Sequence, residues 1–376
     1  MGDQSQSAGD GAHWMALAGG TGGSPRGAGY VSRFAGIGAC IPAGRLTTDE
    51  LMASTKYKTD IDLERLTGVR ERPVVGADED AYTLALGAAR DALTHAGIGA
   101  DDLDMLLVSS ISRHVGGLRI QIEPPVCVSL KEALGARRAI STDISNACAG
   151  MMTSVFILND LVRQGRIRRG MVVSGEYISE LGRNAAQEVR DVLSDQLPSL
   201  TLGDAGAAAI LERAPEGAAG IEVAGFTTVA GHSRLCVAFP ATMGPGTTMH
   251  TKAREIHQAA TAEAVPLLRE ILGQAGLQLG EIDYLVPHQT SVRAIRKGME
   301  QWSLDLGAAP KHVVVTVDEL GNTSSTTHFV ALWKYLNEGR FAPGDRVMLV
   351  ALASGIEVGV VIFRPGELVG RYGHDH

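Results

Sequence analysis

Two stretches of this chain are versions of one another. ARDALTHAGIGADDLDMLLVSS at 89–110 lies against LREILGQAGLQLGEIDYLVPHQ at 268–289, at an offset of 179. Arg90, Leu93, Ala96, Gly97, Asp104 and Leu106 recur as Arg269, Leu272, Ala275, Gly276, Asp283 and Leu285. Each version reads as an amphipathic helix, a glycine stop and a buried strand. A second match sets 142–167 against 316–341 at an offset of 174, with Thr142, Gly165 and Arg166 recurring as Thr316, Gly339 and Arg340. A chain that repeats helix, turn and strand in one order is two copies of one α/β unit.

The rest of the pattern fits alternating strands and helices. Strands are expected at 30–41, 103–109, 140–144, 171–175, 200–211, 220–229, 282–286, 313–317, 347–353 and 358–363. Helices are expected at 47–55, 80–96, 126–134, 149–161 and 257–274, and after His288 and Asn322. LERLTGVRER at 63–72 reads as a charged surface segment, and 180–200 as an irregular loop or lid. The first copy with the cysteine described below spans 30–213 and the second 214–376. Residues 1–29 are rich in Gly, Ser and Ala and read as a disordered extension.

STDISNACAGMM at 141–152 ends a strand and places Cys148 at the mouth of a helix. Unpaired N–H groups and the positive helix end favour thiolate there, which suits a nucleophile. The stretch alone equally describes a small buried hydrophobe. The second repeat match sets Asn322 where Cys148 sits in the first copy, and His288 ends a strand one element earlier. Packing about a pseudo-two-fold axis would bring Cys148, His288 and Asn322 together. Such a buried meeting of polar groups is hard to explain as packing.

Composition narrows the class. A net charge of −8 points to neither nucleic acid nor an anionic membrane. No run of about 18 apolar residues occurs, so no membrane span is expected. The other cysteines, Cys40, Cys127 and Cys236, form no CxxC pair, read as inert and suggest a reducing cytoplasm.

NACAG at 146–150, LVPHQ at 285–289, GNTS at 321–324, TLGDAGAA at 201–208 and TGVRER at 67–72 together resemble the thiolase superfamily, specifically its β-ketoacyl-acyl carrier protein synthase III group. The resemblance runs from about residue 31 to 363. It implies two pseudo-symmetric βαβαβαββ halves in a five-layered α-β-α-β-α fold, as a homodimer in the cytoplasm. It implies no cofactor: acyl-CoA or acyl carrier protein thioesters are the substrates. Cys148 would be acylated, His288 and Asn322 would stabilise the enolate of a decarboxylating malonyl-type extender, and the N–H groups of Cys148 and Ser354 would form an oxyanion hole. Arg293, Arg296 and Lys297 would dock the carrier protein, and Arg65 would lie near the CoA nucleotide. Asp204 would hold the Gly-rich turn. His95, His312 and His328 read as residues without chemistry, the last two as satisfied core histidines.

The chain also departs from the family. ALASGIEVG at 351–359 replaces two glycines of the usual bend. A Trp that stacks on CoA appears as Ile61 or a neighbour, which favours a carrier-protein donor. Ser291 replaces a common Asn. Glu123, in IEPPVC, stands near the subunit gate, where a buried charge would disfavour a plain fatty acyl chain. These departures suggest polyketide or other secondary metabolism. The rival readings are acyl transfer from Cys148 to an oxygen, nitrogen or sulfur nucleophile, and a non-catalytic partner subunit.

Overall fold

The computed structural model describes residues 15–18, 30–242 and 245–373. In chain order the first part holds β1 (Met15–Ala18), β2 (Tyr30–Cys40), β3 (Gly44–Thr47), α1 (Thr48–Ala53), α2 (Leu63–Thr67) and β4 (Glu71–Val74). Then come α3 (Ala81–Ala96), β5 (Met105–Val108), α4 (Val126–Leu134), β6 (Ile140–Asp143) and α5 (Gly150–Arg163). The half closes with β7 (Arg169–Glu176), α6 (Ser179–Ala186) and β8 (Ala205–Pro215). The second half begins with β9 (Ile221–Thr228), β10 (Cys236–Pro240), β11 (Thr247–Thr251) and α7 (Ala253–Ala275). It continues through β12 (Tyr284–Pro287), α8 (Val292–Leu306), β13 (His312–Val313) and α9 (Val317–Leu320). It ends with α10 (Thr327–Asn337), β14 (Val347–Ala353) and β15 (Glu357–Phe363).

The repeat is visible in the sheets. One runs β2-β8-β7-β5-β6 and the other β9-β15-β14-β12-β13, with β1 added beyond β9. In each, the two strand pairs at the far end are parallel and the others antiparallel. Helices α5 and α10 lie between the sheets, α3 and α4 cover one outer face, and α7 and α8 cover the other. This is the five-layered thiolase-type arrangement. The identities in the repeat have physical causes. Gly97 and Gly276 end α3 and α7 in the left-handed region, at φ 64° and 66°. Asp104 accepts the N–H groups of Arg168 and Arg169 at the entry to β7, and Asp283 accepts that of Arg346 at the entry to β14. Leu106 and Leu285 are fully buried.

Several expectations need correction. Met15–Ala18, within the extension read as disordered, pairs antiparallel with β9, because a short apolar segment satisfies the open strand edge there. The remainder of 1–29 lies outside the described residues. The 180–200 segment is not a plain loop: α6 occupies its start, with Glu180 buried and accepting the N–H and hydroxyl of Thr247. That bond ties α6 to the β10–β11 hairpin, which the sequence pattern left unmarked. In 63–72, Arg72 is 1% exposed rather than on the surface. Its guanidinium donates to the carbonyls of Leu46 and Leu200 and to the Thr48 hydroxyl. The strand expected at 313–317 is only β13, followed by α9.

Candidate active site

Each half carries one unusual residue before its central helix. Ala147 has φ 44° and Ser324 has φ 56°, the only non-glycine residues in the left-handed region among those described. Each opens a single 3-10 turn, Ala147–Ala149 and Ser324–Thr326, that leads into α5 or α10. This pairs Cys148 with Ser325, not with Asn322. The sequence match slipped because α9 lengthens the connection in the second half. Asn322 still reaches the same place by another route. Its N–H donates to Thr201 O (2.9 Å) and its carbonyl accepts from Gly203 N (3.1 Å), joining the GDAG segment. Asp204 below it is a structural anchor, accepting from Ile178 N, Ser179 N, Ser179 Oγ and Val75 N.

Ser324 connects the two predicted residues. Its Oγ lies 3.2 Å from Cys148 Sγ, and its N–H donates to Asn322 Oδ1 at 2.9 Å. The second bond fixes the amide orientation and leaves the Asn322 Nδ2 hydrogens available. His288 follows β12 and donates its backbone N–H to Val350 O (3.0 Å) in β14. Strand β14 packs against the turn holding Cys148. The β14–β15 bend, with Ser354, follows directly. Glu357 begins β15 and takes the Thr228 hydroxyl at 2.6 Å, so the altered wall is hydrogen-bonded in place.

The electrostatics differ from the sequence expectation of a thiolate. Helix α5 begins at Gly150, beyond the cysteine. Burial pushes the Cys148 thiol up to about 12, with the Ser324 hydroxyl pulling the other way, and the nearby Cys236 and Glu176 adding to the rise. Desolvation outweighs the helix end here. Cys236 thus sits in the electrostatic surroundings of Cys148, although sequence alone marked it as inert. Glu176 is buried and accepts from Ile111 N, Ser112 N, Ser112 Oγ, Ser174 Oγ and Ser325 Oγ. Burial, and next the neighbouring His328, lowers His288 to about 3. Burial lowers His328 to about 4. Both rings are neutral in the folded protein near pH 7.

Comparison with known proteins bears on the family and the fold. The family model described as 3-oxoacyl-[acyl-carrier-protein (ACP)] synthase III matches residues 142–229, and its C-terminal counterpart matches 272–365. A β-ketoacyl-[acyl-carrier-protein] synthase III from Symbiobacterium thermophilum is 32% identical over 344 residues, covering 88% of this chain and 97% of the relative. The chain belongs to the β-ketoacyl-[acyl-carrier-protein] synthase III family. Among solved structures, the synthase III of Aquifex aeolicus aligns with a TM-score of 0.74 over 89% of this chain and 99% of the other. A variant of OleA from Xanthomonas campestris aligns with 0.76 over 89% and 98%. Both are 23% identical and show the shared fold.

The remaining predicted residues of this synthase III chain divide by location. Ser291, Arg293 and Lys297 line a cleft of about 720 Å³ between α7 and α8, with Arg254 and His257 opposite. Ser291 also caps α8, its Oγ accepting from Ala294 N. Arg296 is exposed and outside that cleft, and Arg65 is exposed on α2. Glu123 is exposed on the loop before α4, away from any burial within its own chain. Ser324 was within reach of sequence reading, as the last residue of GNTS. No helix among the described residues is long and apolar enough to cross a membrane.

The neutral histidines carry a stability prediction. Unfolded, each titrates near 6.5; folded, His288 and His328 titrate near 3 and 4. Between these values the unfolded chain holds more protons. Stability is therefore full above about pH 6.5 and falls as pH drops. Each histidine contributes a slope of about 1.4 kcal/mol per pH unit, about 2.7 for the pair. Urea unfolding followed from pH 7 to pH 5 should show this fall, and His328→Gln should remove about half of it.

Proposed function

We propose that this chain condenses acyl thioesters through Cys148. The Cys148 sulfur attacks the carbonyl of an acyl thioester, the C–S bond to the carrier breaks, and the departing carrier thiolate takes up the proton that the Cys148 thiol gives up. A malonyl-type thioester then loses carbon dioxide, and the bonding pair moves to its thioester oxygen as an enolate. His288 Nε2–H and the Asn322 amide donate to that oxygen. The enolate carbon attacks the acyl-Cys148 carbonyl, whose oxyanion takes the N–H groups of Cys148 and Ser354. That attack forms the C–C bond; collapse of the oxyanion restores the carbonyl, breaks the C–S bond and releases the Cys148 thiolate, which takes a proton from water.

The observation that supports this reading is that Asn322 is joined to the Cys148 thiol through Ser324, while His288 hangs on Val350 of β14, the strand packed against the Cys148 turn. A buried neutral His288 has one ring N–H to give, and an Asn322 whose Oδ1 is already bound has its amide hydrogens to give, to developing negative charge. Acyl-loaded protein mixed with malonyl carrier protein should release carbon dioxide and a 3-oxoacyl product. Transfer of the acyl group to an alcohol, amine or thiol without carbon dioxide would replace this reading with the acyltransferase one. Absence of any adduct, with any thioester, would leave a non-catalytic subunit.

The α7–α8 cleft suits an acidic carrier protein in the cytoplasm, with no resident cofactor. Arg293→Glu combined with Lys297→Glu should raise KM for the carrier-borne extender by about tenfold, leave kcat unchanged and flatten the salt dependence. Steady-state rates at two ionic strengths check it. Among the described residues β6 is an edge strand with Ile140 exposed, and Ile111, Ile120, Ile122 and Val128 on the connection before β6 and on α4 are exposed too. We assign this face to a second copy of the chain, which would cover the edge and bring Glu123 to the partner's acyl site. The altered bend and Glu123 favour a specialised acyl group from polyketide or other secondary metabolism. Rescue of a strain lacking its housekeeping synthase III would refute that assignment.

A further inference from the structure

His328 lies in the first turn of α10, 0% exposed, with its ring centroid 5.7 Å from that of His288 and the planes 30° apart. Its Nε2 stands 3.0 Å from Val350 O. A carbonyl oxygen only accepts, so Nε2 carries the proton and Nδ1 is a bare lone pair. The same oxygen accepts the backbone N–H of His288, also at 3.0 Å. One histidine's backbone and the other's side chain therefore hang on a single carbonyl in β14.

A satisfied core residue does not look like this. Nδ1 of His328 and Nδ1 of His288 are both buried without a partner. An aliphatic side chain would fill the space without stranding a buried polar atom, which is unfavourable. A working histidine is usually aimed by a hydrogen bond at its second ring nitrogen. His288 has none there. What its ring has is the His328 ring, itself locked to Val350. A proton on His288 Nδ1 would be a buried donor with no acceptor, whereas on Nε2 it can meet the substrate.

We propose that His328 is the positioning residue of His288: held by Val350, its ring keeps His288 in one orientation, with the proton on Nε2 and aimed at the thioester oxygen. The role of that proton rests on the condensation reading above; the orientation does not. Sequence alone gave no signal for it, because a histidine among THFVALW has the pattern of a core position.

The experiment compares His328→Val, His328→Gln and His328→Asn with the parent protein. The Gln amide can reach Val350 O; the shorter Asn cannot. Nitrogen NMR of histidine-labelled protein should show a single Nε2–H form of His288 in the parent and the Gln variant, and a mixture of forms in the Val and Asn variants. Carbon dioxide release from malonyl thioester by acyl-loaded protein should fall about tenfold or more in Val and Asn, and Gln should stay within about threefold of the parent. KM for the extender and the yield of acyl-Cys148 should not change. A Val variant with the parent's His288 signals and rate would overturn the proposal and return His328 to core filling. If the Val variant does not fold, Gln against Asn decides the same question. If the parent releases no carbon dioxide, the condensation reading fails by itself, and the NMR comparison still decides on His328.

Discussion

Cys148→Ala will take up no acyl group from any thioester, and condensation will fall by about 10⁴-fold or more. Intact mass measured after exposure to acyl thioesters checks this, since the parent should gain one acyl group and the variant none. The fold should survive. Cys148 is half-buried, and its Sγ lies 3.2 Å from Ser324 Oγ. The turn that holds it is set by Ala147 and by the packing of β14, not by sulfur. Cys148→Ser should be nearly as inactive, because a hydroxyl in the same dry place is even harder to ionise. The raised thiol adds a second expectation. With Cys148 pushed up to about 12, trapping by a small alkylating agent should be slow at pH 7 and still be climbing at pH 10. A plateau near pH 7 would show that the thiolate is stabilised, as the helix-mouth argument expects, by something stronger than desolvation.

Much of this architecture was legible in the sequence, where local chemistry is decisive. Helix α4 lies where the apolar spacing of 126–134 puts it, and α3 starts on its Asp80 cap and stops at Gly97. The repeat was readable at 89–110 because the same aspartate, glycine and leucine do the same mechanical work twice. It was misread at 316–326 because polar residues there answer to partners distant in sequence. Ser325 stands in the second half where Cys148 stands in the first, yet its hydroxyl donates to Glu176 in β7. Nothing local announces that bond. Arg72 was misplaced for the same reason. An arginine amid charged residues reads as solvated, and only the Leu200 carbonyl, Leu46 carbonyl and Thr48 hydroxyl make its burial tolerable. The catalytic candidates do not depend on that match, because the motifs around them, NACAG, LVPHQ and GNTS, stand independently. His328 and Cys236 carry no motif, and only three dimensions set them beside His288 and Cys148.

His288→Ala will separate the two chemical steps. The acyl adduct on Cys148 should still form to full yield. Decarboxylation of the extender should fall by about 10²–10³-fold, the usual loss for one preorganised donor to an oxyanion. Asn322→Ala should behave similarly, and the double variant should lose far less than the product of the two if, as proposed, both donate to one oxygen. The pH profile distinguishes a neutral donor from a cation. With His288 held near 3 by burial and its neighbour, decarboxylation by the folded protein should not change between pH 8 and pH 6 through this group. A cationic His288 would instead show activity rising as pH falls through its titration. Loss of rate below pH 6 should follow the loss of folded protein, because protons that the folded rings refuse are taken by the unfolded chain. The same burial that keeps His288 uncharged therefore contributes to acid sensitivity of the fold, against the carboxyls of Glu176, Glu180 and Asp204, which burial raises and which act in the opposite direction; measuring rate and unfolding on one pH axis should show rate loss only where unfolding begins.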